Sequence, residues 1–547
     1  MVRSLGGSRV MSRNSLSLLV IIGGLVTAVR ASELRVSIRD ASTGKPTAAA
    51  VRLYDSQGRL EIPDNALDLG SMGYLYAPGA LIHYADWTSP RVRSQDPYFG
   101  SSYFRAKHPP LTACFFVDGA FKIELAPGRY RLIVNKGLEY LAVAKEIMIG
   151  PDSGRQESVR LSRWVDMGRR GWYSGDGHVH IERRTPESSR AALLWAAAED
   201  VHVSNIMLMG DAEQTYYPQY AYGPGGRYQE GDRVLVAGQE DPRTEQLGHT
   251  LHLRIAGPVR DAARYCHYQP VFEGIRRQGG LSGFAHAGRR RWSFNVDCGL
   301  SLVAPTGQVD FVEIAQMGYI GVSLWYEFLN LGFRLTAMAG SDVPWGGTVG
   351  RPRVYAYTGT GAGFYAERWF EAIRQGRTFV TTGPMLGLAV NGQPPGSLVR
   401  LKRGETVTVQ AQAWGHPEGA RPLVLEIVSL GKPLKTVRPT GPAQNQLETA
   451  MRMTADRSLW VTARCQTNEE PLMDQPGFFS GAIATPVYVE VDGQPWRDLE
   501  HIRELVARRL ASLDRLKEWL GTRESPPEMG AQLKSARSYY TRLLKQD

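Results

Sequence analysis

The chain reads as an α/β protein, with a barrel or related wound sheet lying between two β units and a helical tail after the second. Three observations predict that class. Over about Gly168–Pro384, short apolar runs alternate with helical stretches, the pattern of strands joined by helices. On either side the apolar period drops to two, with Pro-Gly turns between runs. Beyond Arg497 the period lengthens to that of an amphipathic helix.

Residues 1–31 read as an export signal. They hold Arg3, Arg9, Arg13 and Arg30, no acidic residue, an apolar run from Leu16 to Val29, and Val29-Arg30-Ala31 before Ser32. Small residues at those two positions suit a signal peptidase, which places cleavage after Ala31. The alternative is an uncleaved anchor, but a run of 14 residues broken by Gly23 and Gly24 falls short of the ~20 that span a bilayer. Ser32 in place of a Cys argues against a lipid anchor. No later stretch is apolar enough to span, so the expected mature protein is secreted or periplasmic, with no stable membrane anchor.

Residues 32–165 read as a β-sandwich. Leu34–Ile38 alternates, Thr43-Gly44-Lys45-Pro46 turns, and Ala50–Tyr54 alternates again. Phe121–Leu125, the turn Ala126-Pro127-Gly128 and Tyr130–Val134 repeat that plan. The unit resembles transthyretin-like domains found beside exported hydrolases. An aromatic loop, Tyr74–Phe104, lies between its halves and either covers a neighbouring unit or lines a cleft.

In residues 166–384 the expected strands are Val203–Met209, Val234–Gly238, Leu281–Ala285, Val309–Ile314 and Leu335–Ala339, with helices at Glu187–Glu199, Val271–Gln278 and Glu367–Gln375. Residues 385–495 return to β, with Thr406–Ala413, Leu423–Leu430, Leu459–Arg464 and Thr485–Val491 as strands of a second sandwich. In the tail, residues 496–547, Ile502, Leu505, Val506, Leu513, Leu516 and Leu520 share one helical face, and Pro526-Pro527 divides two helices. That face packs on the body or mediates oligomerisation.

At 547 residues the chain fits several units, at roughly 100–200 residues each. Its formal charge of +10 falls to +6 without residues 1–31. With no concentrated basic stripe outside Arg289–Arg291, no nucleic-acid partner is expected. Cys114, Cys266, Cys298 and Cys465 include no C-x-x-C pair, so a thiolate zinc site is not expected; Cys266 and Cys298 are either bridged or buried thiols.

The chemistry lies in the middle segment. Gly175-Asp176-Gly177-His178-Val179-His180 ends a strand, and an H-x-H there projects both imidazoles to one side. Gly238-Gln239-Glu240 ends another, with Gly248-His249-Thr250 soon after; Ala285-His286 and Gly340-Ser341-Asp342 end two more. Imidazoles and carboxylates gathered at one strand edge, where α/β barrels place their sites, point to a metal centre.

The order H-x-H, G-x-E, H, H, S-D resembles the PHP (polymerase and histidinol phosphatase) superfamily of metal-dependent hydrolases. Gly376–Pro384 resembles the segment closing the barrel in the carbaryl-hydrolase-like (CehA/McbA) branch. The resemblance implies a distorted seven-stranded α/β barrel holding up to three ions, here flanked by the two β-sandwich units and the helical tail. It assigns His178, His180, Glu240 and Asp342 to one metal position, with Glu240 bridging to a second held by His249 and His286. Three histidines of the pattern are missing: Gly210-Asp211-Ala212 and Pro344 replace two, and Arg183-Arg184-Thr185-Pro186 offers none where a third is expected. All three belong to the third position, so the resemblance implies two ions.

The function expected is an exported hydrolase that activates water on two divalent ions (zinc, manganese or iron) against an ester, amide, carbamate or phosphoester of a small-molecule substrate. Asp342 and Glu240 are its expected catalytic groups. Asp176 and Asp211 either support the site or close strand ends. Arg289 and Arg290 either receive an anionic group or are solvated. Tyr217, in a Tyr-rich loop from Tyr216 to Tyr228, is placed against substrate. The alternative is a non-catalytic exported binding protein with a structural metal.

Overall fold

Two-sided burial explains the continuous apolar runs at the centre of this chain. A computed structural model describes residues 31–64, 66–67, 114–151, 154–287, 295–316, 318–343, 348–361, 363–467, 478–522 and 526–545. The expected export segment up to Arg30, the aromatic stretch Tyr74–Phe104, Arg289–Arg291 and Pro344 lie outside those residues. The architecture is mixed α/β.

Its central strands are β1 (Trp172–Val179), β2 (Val203–Gly210), β3 (Arg233–Glu240), β4 (Gly248–Leu253), β5 (Leu281–Phe284), β6 (Phe311–Gln316), β7 (Thr336–Gly340), β8 (Arg353–Tyr357) and β9 (Thr378–Thr381). β1, β2 and β3 run parallel. β4 turns back antiparallel to both β3 and β5, and β5, β6 and β7 are parallel again. A parallel bridge from Val343 to Val179 then joins the end of β7 to the end of β1. β8 lies antiparallel on β1 and carries β9. Every residue of β2 through β7 is buried, because helices or further strands cover both faces.

Five helices accompany these strands: α1 (Pro186–Ala198), α2 (Gln269–Arg277), α3 (Val296–Val303), α4 (Ser323–Asn330) and α5 (Ala366–Arg374). α2 buries Val271, Phe272 and Ile275, and α5 buries Trp369, Phe370 and Ile373. Trp369 lies so close to β1 that a Cβ on Gly175 would stand 2.2 Å from its ring. The expected strands and helices of this segment form within a few residues of their expected bounds. The stretch Gly248–Thr250, expected to follow a strand end, instead opens β4. α3 and α4 were not expected: they are buried almost all round, so no helical period marks them.

At the N-terminal side, two sheets share one core. Strands Ala120–Leu125, Ser32–Asp40 and Arg155–Leu161 form the first; Phe115–Asp118, Ala48–Tyr54, Gly128–Asn135 and Val143–Ile149 form the second. Leu34, Val36 and Ile38 of one meet Val51, Leu53, Leu132 and Val134 of the other. On the C-terminal side Met385–Val390, Thr406–Trp414 and Gln446–Thr454 form a separate three-stranded sheet, while other strands join the central ones. β9 pairs with Gly481–Ala484, and Tyr319–Gly321 pairs with Phe478–Phe479, so hydrogen bonds run from the central strands into the β region after Pro384. The tail forms α6 (Ile502–Gly521) and α7 (Pro527–Leu543). Leu505, Val506, Leu513, Leu516 and Leu520 are buried in a core that includes Leu300 and Phe328, and Tyr540 donates to the Ser301 carbonyl at 3.0 Å. No disulfide joins the four cysteines. No helix of the described residues is long and apolar enough to cross a membrane.

Buried ions dock the N-terminal unit onto the central strands. Arg163 bonds Asp200 at 2.8 and 3.1 Å and Glu139 at 2.9 Å, and Arg233 reaches Asp200 at 2.5 Å. Tyr355 on β8 donates to Glu139 at 2.9 Å. Burial resists ionisation of Asp200, yet Arg163, Arg233 and Lys136 hold it below the usual carboxylate range. Asp200→Ala removes the buried carboxylate that Arg163 and Arg233 share and should lower unfolding free energy by about 3–5 kcal/mol. Lys122→Ala on the exposed surface should change it by less than about 0.5 kcal/mol. Urea titration followed by circular dichroism checks both, and equal midpoints for the two variants would remove the network from the docking account.

Candidate metal centre

Four strand ends and the start of β4 deliver the ligand-capable side chains to one place. β1 carries His178, with His180 just beyond it. β3 ends in Glu240, β4 begins with Gly248-His249, and His286 and Asp342 each stand two residues past β5 and β7. The end of β1 and the loop after β7 are stitched together. Asp342 N–H donates to the His178 carbonyl at 2.8 Å, and His180 N–H donates to the Val343 carbonyl at 2.9 Å. Asp176 adds a second tie by accepting from the backbone N–H groups of His178 (3.0 Å), Ser341 (3.0 Å) and Gly350 (2.7 Å).

His178 and His180 aim their Nε2 atoms at a common point, 3.0 Å apart. Asp342 Oδ1 lies 3.4 Å from each. Glu240 splits its two oxygens. Oε2 faces His180 Nε2 at 3.3 Å and His178 Nε2 at 3.7 Å. Oε1 faces His249 Nδ1 at 2.6 Å and His286 Nε2 at 3.6 Å. None of the six side chains has more than 7% of its residue surface exposed, so no bulk water screens them. Imidazole lone pairs and carboxylates converging at these distances are a donor set that can hold a metal ion.

The electrostatics follow from that crowding. Burial opposes ionisation of Glu240, but His249, Arg243 and the two H-x-H rings hold its carboxyl well below the usual range. Burial likewise opposes ionisation of Asp342, and His178, His180 and His286 bring it down to about 2. Burial and Arg243 keep the His249 ring neutral, down to about 3, against the pull of Glu240. For His178 burial favours the neutral ring, yet Asp342 and Glu313 push its pKa well above the ordinary value. Carboxylates outbid desolvation there, which marks a place where a cation is stabilised.

His286 and Asp342 both adopt left-handed backbone, with φ of +57° and +56°. Non-glycine residues rarely do so, and such positions gather at ligand sites. Gly340 lacks a Cβ for a direct reason. One placed there would stand 2.3 Å from His178 Cβ and 2.4 Å from Glu313 Oε1.

His178, His180, Glu240, His286 and Asp342 therefore converge as the spacing predicts, and His249 joins them through Glu240. Tyr217 packs its ring on His180, centroids 5.2 Å apart, at a backbone φ of +53°. Asp211 serves its own turn, accepting from the N–H groups of Glu213 and Gln214 and from the Tyr216 hydroxyl at 2.6 Å. Arg289 and Arg290 lie outside the described residues. Three further groups border the cluster. Glu313 lies 3.1 Å from His178 Nδ1, Gln316 reaches both His286 and Asp342, and Arg243 stands 3.6 Å from Glu240 Oε2. Glu313 lies on β6, within the expected strand Val309–Ile314. Gln316 and Arg243 gave no signal, since neither type is a usual ligand and neither stands at an expected strand end.

No family model matches the chain, and no curated protein matches it. A solved structure of an engineered protein aligns with 38% of this chain at 10% identity and a TM-score of 0.13, a likeness that carries no argument. The chain spans about half the length of that engineered protein, 48%.

Gly340→Ala should cost about 1–3 kcal/mol by overpacking and weaken zinc binding, seen in thermal melts and zinc titration. Gly530→Ala, with nothing within 4 Å on α7, should leave zinc binding unchanged and stabilise the helix by up to about 1 kcal/mol. Unaltered zinc binding in Gly340→Ala would contradict the close approach of β7 to the ligands.

Proposed function

We propose that the chain is a metal-dependent hydrolase of the PHP type, with its central strands as a distorted seven-stranded barrel between two β-sandwich units. The observation that carries this reading is the division of Glu240, one oxygen toward His178 and His180 and the other toward His249 and His286. That is the arrangement a carboxylate needs to bridge two cations. In this reading His178, His180, Glu240 and Asp342 hold one ion, and Glu240, His249 and His286 hold the other. Charge supports it: Glu240, Asp342 and Glu313 all face imidazole nitrogens, and Arg243 opposes them. The donor set suits zinc, manganese or iron.

Two divalent ions, if held there, would lower the pKa of water and polarise the bond under attack. The protein's own groups do the rest. Asp342 takes the proton of the attacking water, its Oδ1 standing 3.4 Å from the Nε2 atoms of His178 and His180. Tyr217 walls the His180 side with an aromatic ring, which excludes water there. Arg243, about one-fifth exposed on its side chain, puts positive charge beside Glu240 at the edge of the cluster and favours substrates with electron-rich groups. An ester, amide, carbamate or phosphoester of a small molecule fits this chemistry. Export, read from residues 1–31, is a separate proposal.

The burial of all six side chains also suits a metal held for structure alone, and activity separates the two readings. Elemental analysis of unstripped protein should give two divalent ions per chain; one or none would count against the paired centre. Glu240→Ala should abolish turnover of a panel of model esters, carbamates and phosphoesters while the circular dichroism spectrum is kept. Wild-type protein inactive on the whole panel despite full metal loading would favour the structural role.

A further inference from the structure

Glu313 and Gln316 stand three residues apart on β6, a spacing that puts side chains on opposite faces of a regular strand. The pairing of β6 with β7 slips between Glu313 and Ala315, leaving Ile314 as an extra residue. One inserted residue restores the same-side relation. Both polar side chains consequently face the ligand cluster, each 1% exposed.

From there each reaches two ligand-bearing segments. Glu313 Oε1 lies 3.1 Å from His178 Nδ1, and Oε2 accepts the backbone N–H of His286 at 2.9 Å. Gln316 Nε2 lies 2.5 Å from His286 Nδ1 and donates to Asp342 Oδ2 at 2.8 Å. Three of the six ligand-capable residues, on three different strand ends, thus take their orientation from one bulged strand.

We infer that Glu313 and Gln316 are the positioning residues of the metal centre, and that the bulge at Ile314 exists to aim both at it. The inference rests on the reading of the cluster as a binder of divalent metal. Its physical basis is the tautomer of His178. An Nδ1–H given to the Glu313 carboxylate leaves the lone pair on Nε2, the atom facing His180, Glu240 and Asp342, and makes that lone pair more basic. The same carboxylate holds the His286 backbone in its left-handed turn. Gln316 donates to the Asp342 carboxylate, so that carboxylate cannot rotate without breaking a bond to it.

The test compares wild type, Glu313→Ala, Glu313→Gln and Gln316→Ala by zinc affinity in chelator competition, by the visible spectrum of the cobalt-loaded protein, and by melting of the metal-free protein. Glu313→Ala should bind zinc about 10–100-fold more weakly with an altered cobalt spectrum. Glu313→Gln, whose single amide oxygen can accept from Nδ1 but leaves the His286 N–H without its acceptor, should recover part of the affinity. Gln316→Ala should alter the cobalt spectrum with a smaller loss of affinity. If Glu313→Ala fails to fold, the last two variants carry the test. Unchanged affinity and spectrum in these variants, or Glu313→Gln falling as far as Glu313→Ala, overturns the inference. Wild-type protein that binds neither zinc nor cobalt sinks the underlying metal reading instead.

Discussion

Burial of the Glu240 carboxylate is the constraint on which the rest of this structure depends. An ion in such surroundings costs several kcal/mol unless its partners are close and well aimed. Glu240 meets that requirement with imidazoles on both oxygens, but those rings are themselves buried and need acceptors. Asp342 and Glu313 supply them, and Asp342 in turn accepts from the Gln316 amide. The cluster is satisfied only as a whole. A shift of one strand end would leave several charges stranded together.

That interdependence explains the rigidity of the surroundings. Asp176 binds three backbone N–H groups from both sides of the β1–β7 junction, so the carboxylate acts as a rivet under His178. Left-handed turns at His286 and Asp342 are strained positions that only firm neighbours can hold. The neighbours are firm because the central strands share hydrogen bonds with the β region after Pro384, and because the N-terminal unit is pinned by the Arg163–Asp200–Arg233 ions. The tail completes the cover by burying one side of α6 and α7 over the core.

Much of this was legible before folding was considered. Apolar runs followed by Gly-flanked His, Glu or Asp marked His178, His180, Glu240, His286 and Asp342 because strand period and side-chain chemistry are local properties. The α6 stripe, Leu505 to Leu520, was legible for the same reason. His249 was marked as a ligand but set in the wrong local structure, since a short antiparallel turn-back such as β4 leaves no distinctive period. α3 and α4 escaped because burial on every side erases the polar face by which a helix is read. Gln316 escaped because an amide on a strand has many uses, and its role here depends on Ile314 slipping out of register.

The amino-acid sequence by itself determined the elements, the edge of the sheet where chemistry gathers, and the kinds of group that gather there. Tertiary structure decided which atoms meet. It divided the two oxygens of Glu240 between two pairs of rings, turned Glu313 and Gln316 to the same side, kept Asp211 to its own turn and brought Arg243 in. The reason is range: propensity and periodicity act over a few residues, whereas strand register and bulge position are fixed by pairings between segments far apart in the chain. A shift of one residue in those pairings changes which side chains face each other.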